Sequence, residues 1–286
     1  MRTIISPILA IEELLKIRES KDLIIIDAGN GEIAKTTYKE RHLDGALYVN
    51  LNTQLSNIKE DVAIGGRHPL PTIDQFSKVL GNLGITEKSH VIIYDHNNCA
   101  NAAARFWWML KAIGHDKVQV INGGFQEAEK KGFPINSEKV AVKKSTNYKF
   151  TEWKLPQSNI FEVEKCAQDT NFIVIDVRES DRYNGLFEPI DLVAGHIPGA
   201  VNIPFSTNLN VNGLFKSPKE LKTNYQTIFG NIKSDRIIVH CGSGVTACHT
   251  LLAISYAGLA IPKLYVGSWS EWSRNDKLIA TKNNNF

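Results

Sequence analysis

No apolar run in the sequence approaches the ~18 residues needed by a membrane-spanning helix, and no C-x-x-C pair offers a zinc site. The apolar start carries Pro7 and runs into Glu12 and Glu13 rather than a small-residue cleavage site, so a soluble cytoplasmic protein with no membrane partner is expected. Cysteine is scarce. Cys99, Cys166, Cys241 and Cys248 are too few for a disulfide framework, and each is expected as a separate reduced thiol. Charge of one sign is missing too: 33 Lys plus Arg against 30 Asp plus Glu leave a net +3, which gives no electrostatic reason for a nucleic-acid partner. Any anionic ligand must be met locally. What the 286 residues do contain is apolar material, 43% hydrophobic against 22% charged, enough for two domain cores.

The chain also contains a repeat. Leu23-Ile-Ile-Ile-Asp27 precedes Tyr38 to Ala46 and Leu47-Tyr-Val-Asn50, while Phe172-Ile-Val-Ile-Asp176 precedes Ala194 to Ala200 and Val201-Asn-Ile-Pro204. Further on, His90-Val-Ile-Ile-Tyr94 leads into a helical stretch closed by Gly114, and Arg236-Ile-Ile-Val-His240 into one closed by Gly258. Short β-branched apolar runs suit strands buried on both faces of a parallel sheet. Alternation with helical segments then implies an α/β fold of two tandem domains, each a mainly parallel sheet with helices on both faces. The expected division is residues 1–140, a linker over 141–157 and residues 158–286, with Lys143, Lys144, Thr146 and Asn147 in a stretch lacking periodicity.

The chemistry sits in His240-Cys241-Gly242-Ser243-Gly244-Val245-Thr246-Ala247, between a buried strand and a helix beginning near Thr246. In an open α/β sheet, ligands bind where a strand's carboxyl end faces a helix amino terminus. Gly242 and Gly244 let the backbone curl so that N–H groups converge on an anion, and the helix dipole adds to that field. Thiols in such positions ionise more readily, which makes Cys241 a nucleophile candidate rather than a structural cysteine. A cysteine phosphatase needs an arginine six residues on, where Ala247 stands. Gly242-Ser-Gly244-Val-Thr-Ala247 also fits a dinucleotide-binding glycine pattern, but the acidic residue expected after the next strand is absent from Ala260 to Gly267. Sulfur transfer through a cysteine persulfide needs neither metal nor cofactor. A dinucleotide-binding module and a non-catalytic persulfide carrier remain the alternatives.

Cys241-Gly-Ser-Gly-Val-Thr246 with Ala247-Cys248, and Leu264-Tyr-Val-Gly-Ser-Trp-Ser-Glu-Trp272, resemble the two-domain rhodanese superfamily, within it the 3-mercaptopyruvate sulfurtransferases. Gly195-His-Ile-Pro-Gly-Ala200, Arg105-Phe-Trp-Trp-Met109 and Gly123-Gly124 extend the resemblance over nearly the whole chain. It implies a catalytic second half and a first half without the nucleophile, where Asp95 to Asn98 takes the place of the cysteine loop and Cys99 falls in a helix start. It implies a small-molecule sulfur donor, 3-mercaptopyruvate ahead of thiosulfate because Gly242-Ser243 is neutral, and a thiol, cyanide or thioredoxin-like acceptor. Arg182 matches an arginine holding the substrate carboxylate, alongside Gly242, Gly244, Val245 and Thr246 in the substrate-binding loop. Ser243 and His68 match two members of a relay beside the cysteine, His68 coming from the first half of the chain.

Two positions depart from the pattern. The relay acid aligns with Asn52, and the second substrate arginine is missing from Glu188-Pro-Ile-Asp-Leu-Val-Ala194, with Arg67 the candidate to replace it. Cys248, seven residues after Cys241, belongs on the same helix face about 10 Å further from the loop, as core. Cys166 fits the apolar side of a helix from Ile160 to Ala167, and Trp269 and Trp272 are expected to pack a loop on the sheet.

Overall fold

A computed structural model describes residues 5–142, 145 and 148–284. The chain forms two compact units, one of Met1–Asn57, Pro71–Lys154 and Val211–Phe215, the other of Ile58–Leu70, Leu155–Asn210 and Lys216–Phe286. Of the stretch expected as linker, residues 143, 144, 146 and 147 lie outside the described ones. The rest is taken up at both ends. Phe150 and Trp153 pack on Phe76, and Trp153 stacks on Trp108, all in the first unit. Gln157–Ser158 is an edge strand of the second unit.

Each unit is an α/β fold around a five-stranded parallel sheet flanked by helices. The first sheet runs Ile8–Leu9, Val118–Ile121, His90–Tyr94, Leu23–Gly29, Ala46–Asn50. The second runs Gln157–Ser158, Lys263–Tyr265, Ile237–His240, Ile173–Asp176, Val201–Asn202 in the same sense. The central strands are continuously apolar because both faces are covered, and Ile92, Ile93, Ile238 and Val239 are fully buried. The helix Ala102–Ala112 follows the strand His90–Tyr94 in one unit as Ala247–Tyr256 follows Ile237–His240 in the other.

The repeat survives in detail. Asp27 registers with Tyr94 and Asp176 with His240, so Asp95 and Cys241 are equivalent as the first residues past their strands. Tyr38 stacks on His42 with ring centroids 4.3 Å apart, and Tyr183 on His196 at 3.7 Å. In both pairs the histidine Nδ1 lies 2.7–2.8 Å from the tyrosine carbonyl. Repeated contacts of this specificity preserve the entry into the second strand of each unit.

Candidate active site

The site lies in the second unit, at the carboxyl end of its central strand. Past His240 the chain turns through Cys241–Thr246 into the helix Ala247–Tyr256, with Thr246 as its N-cap. A five-residue helix, Ser268–Trp272, pins the loop from one side. The Cys241 N–H donates to Ser268 Oγ at 3.2 Å, Trp269 N–H to the Cys241 carbonyl at 3.0 Å and Ser270 N–H to the Gly242 carbonyl at 2.8 Å. Trp269 and Trp272 are thus buried parts of a helix rather than of a loop. Gly244 has φ +70°, and a Cβ there would lie 2.4 Å from the Val266 carbonyl oxygen, so the turn admits only glycine.

Among the described residues, the N–H groups of Gly242, Ser243, Val245 and Thr246 find no protein acceptor. Buried N–H groups are normally satisfied, so four without a protein acceptor just before a helix amino terminus suit an anionic ligand. Cys241 sits at the start of the loop, 3% exposed. Ser243 Oγ lies 2.8 Å from His68 Nδ1, both buried, with the donor set by the imidazole tautomer. His68 lies early in the sequence, yet its segment, Ile58–Leu70, packs as part of the second unit. Asn52 belongs to the first unit, where its N–H donates to Asn50 Oδ1 at 2.9 Å.

Above Gly242 the rim is charged: a Cβ there would lie 3.1 Å from Arg67 Nη2, 3.4 Å from Arg182 Nη2 and 3.6 Å from Asp191 Oδ2. Arg182 binds Glu188 through Nε and Nη2 at 2.7–3.1 Å, and its Nη2 reaches Asp191 at 3.3 Å. Arg67 grips the same Asp191 with Nε at 3.0 Å and Nη2 at 3.3 Å. Burial works against the charge of Glu188, but the Arg182 guanidinium and the Asp191 and Ile190 N–H groups outweigh it and hold its carboxyl below the usual range. Behind the rim, Arg178 is buried over the Trp269 ring at 4.5 Å and binds Asp176 through Nε and Nη2 at 2.6–3.1 Å. Burial keeps the adjoining His240 imidazole below its ordinary pKa despite the nearby Asp176.

The structure therefore gathers Cys241, Gly242, Ser243, Gly244, Val245, Thr246, His68 and Arg182 in one place, together with Arg67, the candidate named for the missing arginine. Sequence reasoning missed Glu188, Asp191, Ser268 and Arg274, which position rather than line the loop. Asp191 carried a signal, a carboxylate inside an otherwise apolar exposed segment with Ile190 and Leu192 on either side. Cys248 is core, its Sγ 3.4 Å from the Gly244 carbonyl oxygen, and Cys166 sits on the buried side of helix Ile160–Ala167. Cys99, expected in a helix start, instead lies in the turn before helix Ala102–Ala112 with φ +60°. Its thiol is pushed well up by burial and by the Asp95 charge, so it stays an inert thiol.

The family model described as Rhodanese-like domain matches residues 10–131 and again 162–275. A probable 3-mercaptopyruvate sulfurtransferase of Pseudomonas aeruginosa is 32% identical over 93% of this chain and 94% of its own. A thiosulfate sulfurtransferase of Mus musculus is 36% identical over 84% of this chain and 80% of its own. Among solved structures, the 3-mercaptopyruvate sulfurtransferase from Leishmania major superposes with a TM-score of 0.79 at 28% identity, covering 93% of this chain and 74% of that one.

Proposed function

The chain belongs to the rhodanese-like family, and from that premise we propose that it is a sulfurtransferase carrying sulfur from 3-mercaptopyruvate to a thiophilic acceptor through a persulfide on Cys241. The observation that carries this reading is the pairing of an anion-receptive loop around Cys241 with two guanidinium groups directly over Gly242. In the first half-reaction the Cys241 thiolate attacks the donor sulfur. The carbon–sulfur bond breaks, its electron pair goes to the donor carbon as the pyruvate enolate, and the donor's thiol proton ends on that carbon to give pyruvate. The sulfur stays as Cys–S–S⁻, its terminal charge among the loop N–H groups. His68 and Ser243, in hydrogen-bond contact, are placed to pass the proton. Arg182 holds the carboxylate through the N–H groups that Glu188 and Asp191 leave over. In the second half-reaction a thiolate or cyanide takes the outer sulfur and restores the Cys241 thiolate.

Thiosulfate is the alternative donor, since curated relatives of similar identity carry that name. The neutral Gly242-Ser243 pair and the carboxylate-matched rim favour the keto acid. The test is pyruvate release from 3-mercaptopyruvate beside thiocyanate formation from thiosulfate, with cyanide as acceptor, in the wild type and Cys241→Ser. Pyruvate release that exceeds thiocyanate formation and falls at least ~1,000-fold in Cys241→Ser is expected. A preference for thiosulfate reverses the donor assignment, and turnover surviving in the variant removes Cys241 as nucleophile.

A further inference from the structure

The strand that leads to the nucleophile is apolar until its last residue. Ile237-Ile-Val239 is followed by His240, whose ring is fully buried. A buried polar ring costs free energy that an aliphatic side chain would not, unless a hydrogen bond recovers it. Among the described residues the ring makes one hydrogen bond, from Nδ1 to the Cys241 carbonyl oxygen at 3.3 Å, while Nε2 has no partner and stands 3.9 Å from Asp176 Oδ2. A carbonyl only accepts, so the proton of the neutral imidazole belongs on Nδ1.

The same carbonyl also accepts the Trp269 N–H at 3.0 Å, and the next one, of Gly242, accepts the Ser270 N–H at 2.8 Å. In a planar trans peptide the C=O and the following N–H point in opposite directions. The Gly242 N–H is therefore directed away from the Ser268–Trp272 helix and from the His240 ring, and it has no protein acceptor among the described residues. Two donors on one carbonyl also polarise the amide, which makes its N–H a stronger donor.

We propose that His240 is a positioning residue for Cys241: its Nδ1–H fixes and polarises the Cys241–Gly242 peptide, so that the Gly242 N–H stabilises the thiolate and the persulfide anion formed beside it. The inference rests on the reaction proposed above and assigns a residue to the preparation of its nucleophile. The first unit supplies the contrast. Tyr94 holds the equivalent place, registered with Asp27 as His240 is with Asp176. Its hydroxyl accepts the Leu43 N–H at 3.0 Å, and the Asp95 carbonyl takes the Phe125 N–H with no side-chain donor among the described residues. The second donor thus occurs in the repeat that carries the nucleophile. Asp176 does not require the imidazole, since Arg178 Nε and Nη2 already bind it at 2.6–3.1 Å. The ionisable groups facing the ring are Asp176, Arg178, His196 and Tyr265, and burial works against a second proton on it.

The test separates the two ring nitrogens. His240→Asn places an amide N–H close to the Nδ1 position, His240→Gln places one close to Nε2, and His240→Leu supplies none. Alkylation of Cys241 by iodoacetamide, located by peptide mass spectrometry, reads the nucleophile without turnover. At pH 7 the rate is expected to fall at least ~5-fold in His240→Leu and His240→Gln and to stay within ~2-fold of wild type in His240→Asn, with the deficits shrinking toward alkaline pH as the thiol ionises in every variant. In pyruvate release from 3-mercaptopyruvate, His240→Leu and His240→Gln are expected to lower kcat at least ~10-fold with KM within ~2-fold, and His240→Asn to recover most of that loss. Thermal unfolding checks the fold of all three, and should His240→Leu not fold, the contrast of His240→Asn with His240→Gln still decides. Equal rates in His240→Asn and His240→Gln, a wild-type rate in His240→Leu, a deficit independent of pH, or a loss confined to KM overturns the assignment. Failure of the proposed reaction looks different: no pyruvate from a wild type whose alkylation still exceeds that of His240→Gln and is matched by His240→Asn.

Discussion

Asp95 and Cys241 hold the same place in the two repeats, one residue beyond the central strand, and the loops they begin have opposite electrostatic fates. In the second unit the N–H groups of Gly242, Ser243, Val245 and Thr246, in the loop that begins with the Cys241 thiol, have no protein acceptor among the described residues. In the first unit the Asp95 carboxylate fills the equivalent space itself, accepting N–H groups from Asn97 and Cys99 at 2.8 Å, Asn101 at 3.1 Å and Ala103 at 3.2 Å. Burial pushes that carboxyl up from its ordinary range while the four N–H groups pull it back. The scaffold around both is shared: Phe125 N–H donates to the Asp95 carbonyl as Trp269 N–H does to that of Cys241, each at 3.0 Å. One fold thus makes an anion receptor twice, and satisfies one of them with its own side chain.

Removing that internal anion is the strongest way to break the comparison. Asp95→Ala leaves four backbone donors without their acceptor in a buried loop and is expected to destabilise the protein by roughly 4 kcal/mol, measured by chemical denaturation. A loss below ~1 kcal/mol would mean that water replaces the carboxylate easily and that the first loop is not self-satisfied. A smaller effect is expected in the second loop, where Ser243→Ala removes the partner of His68. It should lower kcat roughly 10- to 100-fold with little change in KM or stability. A change confined to KM would make Ser243 a binding residue and leave the proton to another group.

The mildest contrast concerns one buried histidine from each unit. Burial pushes His115 down to about 4 and His249 down to about 3. Between those values and 6.5 the unfolded chain binds a proton that the folded chain refuses, so stability is constant above pH 6.5 and falls as pH drops below it. Each should contribute roughly 1–2 kcal/mol of loss by pH 5, and His115→Leu or His249→Leu should flatten the pH dependence of Tm by that share. Glu188 acts in a separate window. Its lowered pKa supports the fold above its ordinary value near 4.5, and that support is lost as pH falls further.

How much of this was legible in the sequence depends on the range of the interaction involved. The strands, the helix after each central strand and the Cys241 loop follow from apolar periodicity and from glycines that a turn demands, all local properties of the chain. The equivalence of Asp95 with Cys241 was readable too, because the repeat aligns the strands. The partners of Arg67 and Arg182 were not. His68 beside Ser243, 175 residues apart, was expected from the family resemblance alone, whereas Arg67 meets Asp191 across a separation of 124 residues, which no local pattern encodes. The same holds for the grouping of residues 58–70 with the second unit, against the order of the chain, which a linear division at one boundary could not express.

The sequence by itself determined two α/β repeats, which of them carries a cysteine at the strand end, and that this loop can curl around an anion, because strand burial, helix periodicity and glycine conformation act between near neighbours. Only the tertiary structure decided that residues 58–70 fold as part of the second unit, and that Asp191 gathers three guanidinium groups beside that loop. The reason is physical. A buried carboxylate and the cations that compensate it can come from any point along the chain, and packing alone selects which of them meet.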